Sequence, residues 1–151
     1  MGGMIVQHLA IEHQDRVSSA TSIMSTTGDP AQGMAHPDVI EALLAPAPAE
    51  LDAAIAHAVE VNRLLAGPLW DREQAVVRTR ANMERSFHPA GAAFQIAAIA
   101  ASGDRTEQLA AVKLPFLVIH GTEDRLITPS GGEATAKAVP GAELLLVDDM
   151  G

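Results

Sequence analysis

The stretch Phe116-Leu117-Val118-Ile119-His120-Gly121-Thr122-Glu123-Asp124-Arg125-Leu126-Ile127-Thr128-Pro129 sets the architecture of this chain. Its four leading residues are an unbroken apolar run, which predicts a parallel strand covered on both faces. A polar loop follows, and Pro129 suits the first position of a helix that Pro140-Gly141 ends. Leu144-Leu145-Leu146-Val147 is a second apolar strand, closing in Asp148-Asp149-Met150-Gly151. Strand, helix and strand in this order predict an α/β fold with a parallel sheet.

Moving upstream, a helix is expected from Pro89 to Ser102, with Gly103 as its stop. At the other end of the chain, Gly2 to about Glu12 reads as a helix whose Met4, His8 and Ile11 share one face. Two glycines opening a helix run against propensity, since each costs about 1 kcal/mol relative to Ala in a helix interior. Some neighbour must require backbone without side chains there. Val17 to Ser25 has the composition of a strand, ended by Thr26-Thr27-Gly28-Asp29-Pro30.

Residues 34–87 differ in character. His36-Pro37 opens a helix to Leu44, and Ala45-Pro46-Ala47-Pro48 breaks it. Leu51, Ile55, Val59 and Leu65 stripe the next helix, which Gly67-Pro68 stops. Asp71 and Gln74 have the spacing of a capping box, opening a helix that carries Arg72, Arg78, Arg80 and Arg85. Three helices without an intervening strand predict an insertion at 34–87 into a core made of 1–33 and 88–151.

The composition narrows the function classes. Ten Lys and Arg against nineteen Asp and Glu give a formal charge of -9, and only 3% of residues are aromatic. A scattered, minority positive charge with few stacking rings argues against nucleic acid as a partner. No apolar run approaches the roughly 20 residues that span a bilayer. The absence of cysteine excludes thiolate catalysis and Cys-based zinc sites. Together with a start that has no basic segment ahead of its apolar residues, it leads us to expect a cytoplasmic protein.

Ligands in open parallel sheets bind beyond the carboxyl ends of the strands. Here those places are the turn ahead of the first helix, the loop 120–124 and the tail after Val147. The same residues carry a family resemblance. The segment 116–129 resembles the strand and loop that deliver the triad acid in α/β-hydrolases. Met1-Gly2-Gly3-Met4 is similar to the second half of their G-x-S-x-G-G nucleophile elbow. Asp148-Asp149-Met150-Gly151 resembles the approach to their histidine, and the 34–87 insert resembles the helical cap of the esterases.

The resemblance implies that Asp124 is the acid of a Ser-Asp-His triad and that Gly2 and Gly3 are elbow glycines. It also implies that the Met1 N–H is an oxyanion-hole donor. Nucleophile and base would then lie outside residues 1–151, before Met1 and after Gly151. The chain would be an internal or C-terminal piece of an esterase-like or lipase-like hydrolase, inactive alone, acting in its parent on a small carboxylic ester by serine acyl transfer. Without the resemblance, Asp124 reads equally as a loop carboxylate capping a turn or the helix near Pro129.

Of the six histidines, none follows the last strand. His88 and His120 are the two expected to border a substrate pocket. No cofactor is expected. No metal is expected either, because Glu123, Asp124, Asp148 and Asp149 match no calcium-loop spacing. Alternatives are a non-catalytic binding module, a fragment without function of its own, and the chemistry of a cofactor-free haloperoxidase or an epoxide hydrolase. An open edge on the Val17–Ser25 strand would favour self-association.

Overall fold

A computed structural model describes residues 1–88 and 90–151. The elements are α1 (Gly2–Glu12), β1 (Ala20–Ile23), α2 (Pro37–Leu44), α3 (Leu51–Leu65), α4 (Arg72–Arg85), α5 (Gly91–Ser102), α6 (Thr106–Leu109), β2 (Phe116–Gly121), α7 (Pro129–Ala138) and β3 (Glu143–Val147). Pro89, expected to open the helix ending at Ser102, lies outside the described residues. Among the described residues no helix is long and apolar enough to cross a membrane.

The sheet is parallel, in the order β1-β2-β3. Ala20 pairs with Phe116 and Ile23 with Ile119, while Leu117 pairs with Glu143 and Gly121 with Val147. This register brings the ends of all three strands to one side. The strand expected over Val17–Ser25 is shorter, because Met24 turns into the left-handed region at φ 46 and takes the chain off the sheet.

The core lies on one face. Ala10, Ala20, Leu109, Val112, Phe116, Val118 and Val139 cluster there, under α1, α6 and α7. The opposite face departs from the expected two-sided cover. Leu117 and Ile119 are only half buried there and Leu145 of β3 is 49% exposed, while Leu144 and Leu146, on the covered face, are 40% and 39% exposed at the sheet's edge. The helices packed on the sheet, α1 on β1 and α7 on β2 and β3, leave that side open. Helix α5 has no buried residue, although it is almost wholly apolar.

Two local expectations need correction. The buried face of α1 is Met4, Gln7 and Ala10 rather than Met4, His8 and Ile11. His8 turns outward to Glu12, at 3.2 Å. Gln7 turns inward because its amide is satisfied there, donating to the Thr26 carbonyl and accepting from Arg105 Nε at 3.0 Å. The capping box at α4 is half formed. Asp71 accepts from the Gln74 N–H at 3.1 Å, but the Gln74 side chain accepts from Arg78 instead of reaching back.

Arg105 is 1% exposed and makes no carboxylate pair among the described residues. Its guanidinium donates to Gln7 Oε1, the carbonyls of Thr26 and Gly103, and Ser102 Oγ. One side chain thus ties α1, the exit of β1 and the end of α5 together. Burial holds its pKa below the usual arginine value, with Asp104 opposing.

Helices α2, α3 and α4 pack on one another as a separate layer. They meet the loop after β2 through the Arg125–Asp38 ion pair at 2.9 Å and the His36 N–H, which donates to the Arg125 carbonyl.

Candidate active site

Asp124 sits on the turn that leaves β2 and is 6% exposed. Its Oδ1 accepts from the backbone N–H groups of Leu126 and Ile127 at 2.9 and 3.0 Å. Its other oxygen, Oδ2, lies 3.4 Å from His120 Nε2. One oxygen is therefore committed to shaping the turn, while the other has acceptor capacity left over.

His120 is fully buried on the α7 side of the sheet, so it offers no surface to a substrate. Its Nε2–H donates to the Ile127 carbonyl at 2.7 Å, and its Nδ1 has no hydrogen-bond partner among the described residues. A Cβ on Gly132 of α7 would stand 2.5 Å from that Nδ1, so the ring requires a glycine above it. His88 is exposed, 6.4 Å from the Phe94 ring centroid and tilted by 42°.

The His120 ring feels opposing effects. Burial disfavours its cation; the Asp124 carboxylate, the Ile127 carbonyl and Glu133 favour it and together win, so its pKa lies above the usual imidazole value. A pKa higher in the folded than in the unfolded chain means that folding holds the proton more tightly. The stability this contributes is complete below about pH 6.5 and is lost as pH rises through the raised value. The melting temperature is expected to fall across that window, and His120→Gln to flatten the profile. A melting temperature that rises there contradicts the assignment.

The other two strand-end places hold the remaining candidates. A Cβ on Gly3 would be 2.5 Å from Ser25 Cβ and 2.8 Å from Ser22 Oγ, so α1 begins hard against the end of β1. Gly2 has open space around it, and steric need does not explain its being glycine. Met1 caps α1 from outside, its carbonyl accepting from the N–H groups of Met4 and Ile5.

The tail after β3 returns over the acid loop. The Glu123 N–H donates to the Met150 carbonyl at 2.9 Å, and the Asp149 N–H to Thr122 Oγ1. Three glycines make this crossing close. A side chain at Gly121 would strike the Met150 backbone, one at Gly67 would come within 2.5 Å of the Asp149 carbonyl, and one at Gly151 would strike Gly67. Beside this crossing a cleft of about 520 Å³ opens between α3, α4 and the tail. Its walls combine the polar side chains of Asn62, Gln74 and Arg78 with the apolar Leu69, Trp70 and Met150. None of Met1, Gly2, Gly3, His88, His120 and Asp124 lines it.

The parallel sheet with helices against it, a buried loop carboxylate and a returning tail at its strand ends is an α/β-hydrolase fold. The sequence matches the family described as serine aminopeptidase, S33, over residues 1–149, and the chain belongs to that family. By sequence, no curated protein matches. Among solved structures, an N-acyl homoserine lactone degrading enzyme is 21% identical with a TM-score of 0.70, covering 99% of this chain and 57% of its own. The enol-lactonase from Burkholderia xenovorans is 20% identical with a TM-score of 0.66, over 99% of this chain and 55% of its own. The 2-hydroxy-6-oxo-6-phenylhexa-2,4-dienoate hydrolase from a Rhodococcus strain is 18% identical with a TM-score of 0.72, over 100% and 54%. The chain therefore spans about half the length of the structures it matches.

Gln7 and Arg105 escaped the sequence reading. The signal was a glutamine three residues from both Met4 and Ala10 on a helix otherwise apolar along that side.

Proposed function

We propose that this chain is the acid-bearing part of an α/β-hydrolase that cleaves small carboxylic esters by serine acyl transfer. The observation that carries the reading is Asp124 itself. It is a buried carboxylate after the middle strand, with Oδ1 fixed by two backbone N–H groups and Oδ2 left to engage a base. In the proposed reaction a Ser placed just before Met1 attacks the ester carbonyl and a His placed after Gly151 accepts its proton. Asp124 orients that imidazole and stabilises its cation. The Met1 N–H faces the developing oxyanion, a contribution of roughly 3 kcal/mol for one such donor. Gly3, seated on Ser22 and Ser25, lets the elbow pack where no side chain would fit. Helices α2–α4 serve as the cap. The lactone substrates named for two of the similar structures are cyclic esters and fit this chemistry. No cofactor enters the proposal.

Residues 1–151 alone are expected to hydrolyse no p-nitrophenyl ester above background. A chain extended by Gly-x-Ser before Met1 and by a segment carrying the His after Gly151 is expected to turn over and to take a serine-directed phosphonate label. Asp124-dependent hydrolysis by the 151 residues would sink the first statement, and an active extended chain that never labels would sink acyl transfer.

One observation favours a second reading, a binding module without turnover. Among the described residues β1 and β3 each keep an unpaired edge, and Ile23, Leu144 and Leu145 stand exposed along them. Such edges suit association with a second copy. Sedimentation velocity is expected to show concentration-dependent assembly of the 151-residue chain; a sharp monomer at every concentration removes this reading.

A further inference from the structure

We propose that His120 is a positioning residue for Asp124, locking the acid turn from beneath while taking no part in the chemistry. The inference rests on the reading of Asp124 as the triad acid, but its geometry stands apart from that reading. His120 occupies a core position. It follows Phe116 and Val118 on the covered face of β2, where an aromatic or aliphatic side chain would be ordinary. Instead the site holds an imidazole with one nitrogen, Nδ1, buried and without a hydrogen-bond partner among the described residues. Burying an unpaired acceptor is unfavourable, so something else must favour histidine here.

Nε2 supplies the reason. It donates 2.7 Å to the Ile127 carbonyl and lies 3.4 Å from Asp124 Oδ2. The Ile127 N–H in turn donates to Asp124 Oδ1 at 3.0 Å. Residue 127 is thus held through both of its main-chain polar groups, its N–H by the carboxylate and its C=O by the imidazole. The carboxylate accepts from the Leu126 and Ile127 N–H groups through Oδ1, and its Oδ2 lies beside the imidazole. His120 therefore ties the core of the sheet to the acid turn through the Ile127 carbonyl, with its ion-pair contact to Asp124 Oδ2 beside that bond. Gly132 belongs to the arrangement, because any side chain there would displace the ring. The ionisable groups facing the imidazole are Asp124 from its own turn and Glu133 from α7.

Two measurements on the full 151-residue chain test this. Ring ¹⁵N NMR of the unsubstituted chain is expected to show Nε2 protonated at every pH, with Nδ1 the nitrogen that titrates. A neutral ring carrying its proton on Nδ1 overturns the proposal, and this test needs no variant to fold. Amide exchange is then compared in His120→Phe, which keeps a ring in the core but removes the donating nitrogen. The Leu126 and Ile127 amides are expected to exchange at least about ten-fold faster, while those of Val118 and Ile119 keep their protection. His120→Gln, which keeps a donor, should recover much of the lost protection. Unchanged exchange at 126 and 127 in His120→Phe makes the residue mere core filling and overturns the proposal. Neither measurement reads hydrolysis, so a failure of Asp124 as catalytic acid would show only in turnover and leave these results intact.

Discussion

Asp124→Asn is expected to lower kcat of the extended hydrolase by about 10⁴-fold with little change in KM, a loss of about 5.5 kcal/mol in transition-state stabilisation. The substitution is nearly isosteric, and an Asn oxygen can still accept from the Leu126 and Ile127 N–H groups. The turn therefore survives and the fold with it. What changes is the other position, where an N–H donor replaces the acceptor Oδ2. A catalytic imidazole meeting a donor there turns its own acceptor nitrogen toward it, and its proton ends up on the nitrogen that should take one from the Ser. Substrate binding does not pass through this atom, which is why the loss belongs in kcat. A decrease smaller than ten-fold would remove Asp124 from the triad and return it to its plainer part as a turn-capping carboxylate.

Arg105→Ala is expected to destabilise the chain by about 3–5 kcal/mol, measured by urea unfolding. The guanidinium is buried, and its loss would strand Gln7 Oε1, two backbone carbonyls and Ser102 Oγ in a cavity. Set against a typical total of about 5–15 kcal/mol, such a loss can cost cooperative unfolding altogether. Arg105→Lys should recover little, because one ammonium cannot reach acceptors on three elements as a planar five-donor fork does. Arg105→Met, which keeps volume and removes charge, should be milder than Ala. A cost below about 1 kcal/mol for Ala would mean that water satisfies the same acceptors.

The helices and strands were largely legible because their signals are local. Pro37 and Pro129 open their helices where a missing N–H costs nothing, and the run at 116–119 marks the middle strand. Glu50 caps α3 with two backbone bonds that composition alone did not point to, and the four-residue α6 is too short to show a periodicity. The depth of each strand was not legible. Leu144-Leu145-Leu146 reads like Phe116-Leu117-Val118, yet one is an edge and the other a centre, because strand order depends on pairings between distant segments. The site divides in the same way. Asp124 could be picked out from a contiguous motif. The burial of His120 could not, since it depends on Gly132 lying above it on another element. Arg105 was invisible for a related reason: the partners that tie it to α1 and to the exit of β1 are 98 and 79 residues away.

The crossing of Gly67, Gly121 and Gly151 bears on how such chains can be recombined. At that point the end of α3, the start of the acid loop and the returning tail touch backbone to backbone. A foreign cap grafted onto this core would have to bring glycine at 67, or its first side chain would collide with the carbonyl of Asp149. The three segments must therefore be exchanged as one module, however far apart they lie in sequence. The outer face of α4, exposed at Glu73 and Val77, carries no such debt and can diverge alone.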